Sequence, residues 1–274
     1  IKMKKIMSTC LLAAVLLGLA ACGGEGAGEL ELTVFAAASM TETLAEIKTA
    51  YEAGCPGVTL RFNFDSSGTL LAQIREGAAC DLFISAAPGP MNALEEADAL
   101  AEGSRIDLLE NQVVLCVPDG NPKGIDGFET LAQALGEGGV LLAMGSGDVP
   151  VGQYTRRILT YCGLDEKALA AAGCVTYGSN VKEVAAQVRE GSADCGVVYR
   201  TDALAAKLTV VDTAAVEMCG RAVYPAGVLK DGENREAAQA FLDYLAAKDA
   251  MDVFERDIVE AEKKIMISSP ELTR

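Results

Sequence analysis

Short β-rich runs alternate with helical patterns along nearly the whole chain, and this alternation constrains the fold more than any other feature. Runs at Glu31–Ala36, Val58–Asn63, Leu82–Ser85, Gln112–Val117, Val140–Met144, Cys174–Thr176, Cys195–Tyr199 and Leu208–Val211 predict strands. Helical patterns occupy Thr41–Glu52, Thr69–Glu76, Pro90–Ala97, Gly152–Cys162, Lys182–Glu190, Thr201–Ala206 and Glu236–Ala247. A strand–helix–strand repeat returns its strands in one direction, so an α/β fold with mainly parallel strands is expected. An alanine-rich chain without tryptophan suits close helix–sheet spacing.

The junctions carry the chemistry. Phe35-Ala36-Ala37-Ala38 stops at Ser39 and a helical pattern starts at once, with Ser39 and Glu42 at the spacing of a capping box. Asp65-Ser66-Ser67-Gly68-Thr69 repeats the design before Leu70-Leu71 and Ile74. A helix N-terminus presents unpaired N–H groups and partial positive charge, which favour an anion. One such end is an ordinary cap; two point to an oxyanion held by neutral donors.

Residues 1–21 read as an export signal. Lys2, Lys4 and Lys5 make a basic start, Leu11 to Leu19 an apolar centre, and Leu19-Ala20-Ala21-Cys22 a small-residue cleavage site. That quartet resembles the bacterial lipobox, which implies cleavage before Cys22 and lipid on its thiol and amine. A transmembrane anchor is the weaker reading, because a bilayer span needs roughly 20 apolar residues. Residues 22–31, rich in glycine, read as a tether.

Removing residues 1–21 takes three lysines and no acid, so the formal charge of −16 becomes −19. Such a surface repels nucleic acid and anionic lipid at long range, and it would repel an anionic ligand too. An anion site must therefore win locally, through aimed dipoles. The chain has no histidine, which removes Ser-His-Asp and Cys-His nucleophiles and imidazole metal ligands. Cys55, Cys80, Cys116, Cys162, Cys174, Cys195 and Cys219 are scattered without a C-x-x-C pair and read as small buried hydrophobes. In an exported protein that usage fits a reducing habitat.

Two stretches read as crossings between lobes: Leu108–Gln112 enters a strand after a loop, and Cys219–Val228 re-enters one late in the chain. The expected division is residues 32–111 with 222–274 in lobe one and 112–221 in lobe two, with a ligand cleft between them.

Val34-Phe35-Ala36-Ala37-Ala38-Ser39, Phe64-Asp65-Ser66-Ser67-Gly68-Thr69-Leu70, Cys80-Asp81-Leu82-Phe83-Ile84-Ser85, Asp148-Val149-Pro150-Val151-Gly152-Gln153-Tyr154 and Gly196-Val197-Val198-Tyr199 occur in an order and spacing seen before. In these motifs, from about residue 32 to about residue 255, the chain resembles the periplasmic molybdate-binding proteins of ABC transporters. The resemblance implies a two-lobed, type II-like periplasmic binding protein fold that closes on molybdate and, given the near-equal size of the two ions, tungstate. It implies delivery to a membrane permease by a lipid-anchored protein at the outer face of the cytoplasmic membrane. It also implies no enzymatic activity and no cofactor beyond the bound oxyanion, whose molybdenum has no direct protein ligand. A monomer is expected.

Carried over position by position, Ser39 and Ser67 are the serines that donate from lobe one. Val151, where the family more often has alanine, and Val181 donate through backbone N–H groups. Tyr199 completes the site through its hydroxyl. Read without the resemblance, Ser67 is a plain N-cap and Tyr199 a core residue with a wet tip. Pro150 suits the first turn of a helix, and Gly178-Ser179-Asn180 is a capping run. Asp81 reads as structural, and Asp148 as a residue that orients the Pro150 turn. The resemblance fails at Phe254-Glu255-Arg256-Asp257-Ile258, after which the chain continues as a charged, then mixed tail. Two rivals stand beside this reading: a binding protein of the same fold for sulfate, phosphate or another oxyanion, and an exported enzyme that uses lysine or carboxylates.

Overall fold

The computed structural model describes residues 30–254 and 256. The export signal, lipid attachment at Cys22, residues 22–29 of the tether and the tail from 257 lie outside the described residues, whereas Leu30 and Glu31, read as the end of the tether, already pair in the first strand.

Two five-stranded sheets, each flanked by helices, form two lobes. The first contains β1 (Leu30–Ala37), β2 (Val58–Asp65), β3 (Leu82–Ile84), β4 (Ile106–Asn111) and β10 (Ala222–Val228), in the order β2-β1-β3-β10-β4. The second contains β5 (Val113–Val117), β6 (Leu142–Gly145), β7 (Val175–Gly178), β8 (Cys195–Tyr199) and β9 (Thr209–Thr213), in the order β7-β6-β8-β5-β9. The two orders are the same pattern built twice. In each sheet one strand opposes the rest: β10 runs antiparallel to β3 and β4, and β5 antiparallel to β8 and β9. These are the strands that begin directly after a crossing, so the sheets are mixed rather than wholly parallel.

The first crossing is Gln112, between Asn111 of β4 and Val113 of β5, and the second is Gly220-Arg221, before β10. Register places Asn111 opposite Ala222, so the two crossings lie side by side and form a two-stranded hinge. Strands β5 and β8 are buried along their whole length, as continuous apolar runs covered on both faces should be.

The helices that matter for the site follow strands: α1 (Thr41–Gly54), α2 (Ser67–Arg75), α5 (Pro150–Tyr161) and α7 (Val181–Arg189). Between α2 and α5 come α3 (Pro88–Glu96) and α4 (Phe128–Glu137), and α6 (Glu166–Ala171) precedes α7. Then come α8 (Arg200–Ala205), α9 (Val216–Cys219) and α10 (Arg235–Leu245). Helices α4, α6 and α9 are absent from the sequence reading.

Asp81 is a joint between strands. Its carboxylate accepts from the N–H groups of Thr33 (2.8 Å) and Asn234 (2.9 Å), while its own N–H donates to Thr33 O and its carbonyl accepts from Leu229 N. The seven described cysteines are free, and five of them are buried. Burial pushes the thiols of Cys80 and Cys195 up to about 12, so they behave as apolar filler rather than nucleophiles.

Candidate functional site

Strand β1 leads not into α1 directly but into a 3-10 turn, Ala38–Met40, and Ser39 lies inside that turn. Ser39 is therefore not the N-cap of α1; Met40 is, without a side-chain cap bond. The capping box expected of Ser39 and Glu42 does not form: Ser39 is not at the cap position, and the Glu42 carboxylate pairs with Lys182 Nζ at 2.5 Å. Thr41 Oγ1 ties the turn back to Ala38 O at 2.7 Å. The Ser39 hydroxyl lies 3.0 Å from the Tyr224 hydroxyl.

At the second junction the cap is Ser66, one residue before the candidate. Its Oγ accepts from Thr69 N at 3.2 Å, and its own N–H donates to Asp65 Oδ1 at 2.6 Å. With the cap supplied by its neighbour, Ser67 opens the helix and turns its buried hydroxyl elsewhere. There the oxygen accepts from Ala86 N at 2.9 Å. A hydroxyl that already accepts keeps its own proton to give.

The second lobe contributes main chain. Pro150 occupies the first position of α5, so its missing N–H costs nothing, and Val151 follows within the first turn. Asn180 caps α7: its Oδ1 accepts from Glu183 N at 3.1 Å, and Val181 is the first helical residue. First-turn N–H groups have no carbonyl four residues back, so these amides are left to face outward. The Glu183 carboxyl is held below its ordinary range by donation from the Ser179 amide and hydroxyl, both at 2.7 Å.

Tyr199 ends β8 with its ring buried edge-on between those of Tyr154 and Tyr224. Its hydroxyl donates across the lobes to Ala86 O at 3.1 Å. Burial holds the phenols of Tyr199 and Tyr224 well above the ordinary value, so both keep their protons.

All of Ser39, Ser67, Val151, Val181 and Tyr199 line one small cavity, of about 10 Å³, between the lobes. Among the described residues no lysine or arginine lines it, and Asp65, whose carboxylate is turned onto Ser66 N, is its one acidic neighbour. The halves touch around it. Gly68 lies so close to the Asp148 carbonyl that a Cβ there would stand 2.3 Å from the oxygen. Lys182 joins Glu42 of the first lobe to Asp202 of the second, 3.3 Å away. Burial pushes the Asp202 carboxyl up to about 6, and Lys182 opposes that shift.

Sequence reasoning missed Ala86, which receives Tyr199 through its carbonyl and serves Ser67 through its amide. It also missed Asn111 and Tyr224 behind Ser39. An alanine that acts through its backbone leaves no signal. Tyr224, on an apolar run, resembles any core tyrosine.

A small space lined by the Ser39 and Ser67 hydroxyls and by helix-start amides offers donors from several directions and no countercharge, while the Tyr199 proton is held on Ala86 O. A guest that only accepts, such as a deprotonated tetrahedral oxyanion, satisfies such a set.

A family model described as bacterial extracellular solute-binding protein matches residues 32–257. The Bacillus subtilis (strain 168) protein named "Putative ABC transporter substrate-binding lipoprotein YvgL" is 36% identical over 230 residues, covering 83% of this chain and 85% of that protein. The molybdate-binding protein ModA of Escherichia coli (strain K12) is 34% identical over 250 residues, 90% of this chain and 95% of its own length. The solved periplasmic molybdate-binding protein of Azotobacter vinelandii superposes with a TM-score of 0.71 at 22% identity, covering 82% of this chain and 97% of that one, a likeness of fold.

Proposed function

The chain belongs to the bacterial extracellular solute-binding protein family, and from that premise we propose that it captures molybdate, and tungstate with it, for an ABC importer. The supporting observation is the convergence of Ser39, Ser67, Val151, Val181 and Tyr199, drawn from both lobes, on one cavity that no cationic side chain among the described residues lines. We take residues 32–111 with 222–274 as the lobe that supplies the serines, and 112–221 as the lobe that supplies the amides. Residues 1–21 direct export, lipid on Cys22 anchors the protein at the outer face of the cytoplasmic membrane, and residues 22–29 tether it within reach of the permease. No reaction and no cofactor enter this reading.

The oxyanion sits where helix dipoles and hydroxyl protons converge. Each hydrogen bond to a charged partner contributes on the order of 1.5–3 kcal/mol, against about 0.5–1.5 for a neutral one. Several of them offset dehydration of the dianion and the repulsion of an acidic surface. Because donors from both lobes share one guest, binding favours the closed arrangement. A protonated oxyanion sets an O–H against a donor, and a smaller one leaves donors stretched or unpaired, at roughly 1–3 kcal/mol per buried group.

Titration calorimetry of the ligand-free protein with molybdate, tungstate, sulfate and phosphate tests the proposal. Molybdate and tungstate are expected to bind at least about tenfold more tightly than the other two, about 1.4 kcal/mol. Tight sulfate binding without molybdate heat would overturn the specificity and leave a binding protein for another anion.

A further inference from the structure

The hydroxyl of Ser39 is backed by a chain of hydrogen bonds whose direction can be read from one end. Gln112 N donates to Asn111 Oδ1 at 2.8 Å, which fixes the Asn111 carboxamide with its oxygen on the main chain. The Asn111 NH₂ group therefore faces Thr201 Oγ1 at 3.0 Å and the Tyr224 hydroxyl at 3.3 Å, and it can only donate to them. Having accepted from Asn111, the fully buried Tyr224 hydroxyl has Ser39 Oγ, 3.0 Å away, as the acceptor for its own proton. Were Ser39 to donate instead, the Tyr224 proton would be left buried and unpaired, a cost of roughly 1–3 kcal/mol.

We propose that Asn111 and Tyr224 are positioning residues that fill the back of Ser39 with a proton and turn the serine's own proton into the cavity, making Ser39 an obligate donor. This rests on the oxyanion reading above and adds to it the source of discrimination by protonation state. The relay also occupies the hinge. Asn111 ends β4 directly before the first crossing, and Tyr224 lies two residues beyond Ala222, its register partner at the second. The orientation of the Ser39 proton is thereby tied to the strand pair that joins the lobes.

The test compares Tyr224→Phe and Asn111→Asp with the wild-type protein at pH 8, where molybdate and inorganic phosphate are both mainly dianions and only phosphate carries a proton. Molybdate affinity is read by calorimetry, phosphate by competition against molybdate, and folding by thermal melting. In Tyr224→Phe, Ser39 is free to present a lone pair to the guest, so molybdate affinity falls about tenfold while phosphate affinity changes less than twofold. Asn111→Asp reverses the chain, because a carboxylate accepts the Tyr224 proton and Ser39 must donate backwards. Its charge acts alike on both dianions, yet the molybdate-to-phosphate ratio falls further than in Tyr224→Phe. Should Asn111→Asp fail to fold, Tyr224→Phe, which deletes one hydroxyl, carries the test alone. Equal losses for both anions, or no change in either, overturn the relay while wild-type molybdate binding leaves the functional reading standing. A wild-type protein that binds no tetrahedral oxyanion removes that reading and the relay with it.

Discussion

In the proposed site the two sides of the cleft would meet an anion with the same chemistry by different means. On the first lobe the donors are side chains: Ser39 inside a 3-10 turn and Ser67 at the start of α2, each hydroxyl oriented by an accepted hydrogen bond. On the second they are the first-turn amides of α5 and α7, at residues whose own side chains are valines, beside Tyr199, whose hydroxyl proton is held on Ala86 O. The difference teaches where selectivity resides. A hydroxyl can rotate and can be deleted by one substitution, so its direction has to be imposed from behind. An amide at a helix start is fixed by the helix, and no side-chain change removes it short of proline. The second side is thus the rigid template and the first the adjustable one.

The largest effect is expected where the sides meet rather than within either. Gly68, the second residue of α2, lies against the Asp148 carbonyl of the opposite lobe, and a Cβ at Gly68 would lie 2.3 Å from that oxygen and 2.8 Å from the Asp148 Cβ. Both neighbours belong to the backbone or its first carbon, so neither swings away. Gly68→Ala should hold the lobes apart and weaken molybdate binding by about a hundredfold or more, about 2.7 kcal/mol. The melting temperature of the ligand-free protein should hardly move, since the clash is met only on closure. Calorimetry and thermal melting check both halves of that statement. Undiminished affinity would show that the guest does not need the lobes this close.

Next in size is Ser67→Ala, which acts on the adjustable side. It removes a donor to a charged guest, about 1.5–3 kcal/mol, and leaves the buried Ala86 amide without its acceptor. Binding should weaken roughly 10- to 100-fold, and stability should fall by about 1 kcal/mol, measured by urea unfolding. A loss of stability with full affinity would make Ser67 a bracket for Ala86 and nothing more.

The same asymmetry decides what the sequence discloses. The strands feeding the site and the helices that follow them are legible because apolar runs end in hydroxyls, glycine or proline. Helix α4 is not: it starts at Gly127, without a polar cap, and contains Gly136. Strand β4 carries Asp107 and Glu110 and is not read as a strand over its length, and β10, with Pro225 at a register shift, reads only as a re-entry within Cys219–Val228. Ser39 misleads in a further way. Its spacing from Glu42 satisfies the capping-box rule, but Lys182, 140 residues away in sequence, claims the acid. Local rules cannot include such a competitor. Val151 and Val181 contribute nothing that their side chains announce, and only the resemblance to known motifs brings them forward.

The smallest effect should come from the rigid side, and it separates a main-chain site from a side-chain one. Val151 is fully buried at the second position of α5, and its Thr155 neighbour one turn on donates its hydroxyl to the Val151 carbonyl at 2.7 Å. Val151→Ala deletes two methyl groups from a packed interface but leaves the amide, the helix and Pro150 in place, and alanine is the better helix former. Unfolding should become easier by about 1–2 kcal/mol, in the range of small deletions from a core. Molybdate affinity should fall no more than about threefold, near 0.6 kcal/mol, because the donated proton is on the nitrogen. The ratio of the two effects is the informative quantity. In Ser67→Ala affinity should suffer more than stability, whereas in Val151→Ala stability should suffer more than affinity. If instead Val151→Ala costs as much binding as Ser67→Ala, the valine methyls themselves shape the cavity, and the second lobe selects its guest by contact as well as by dipole.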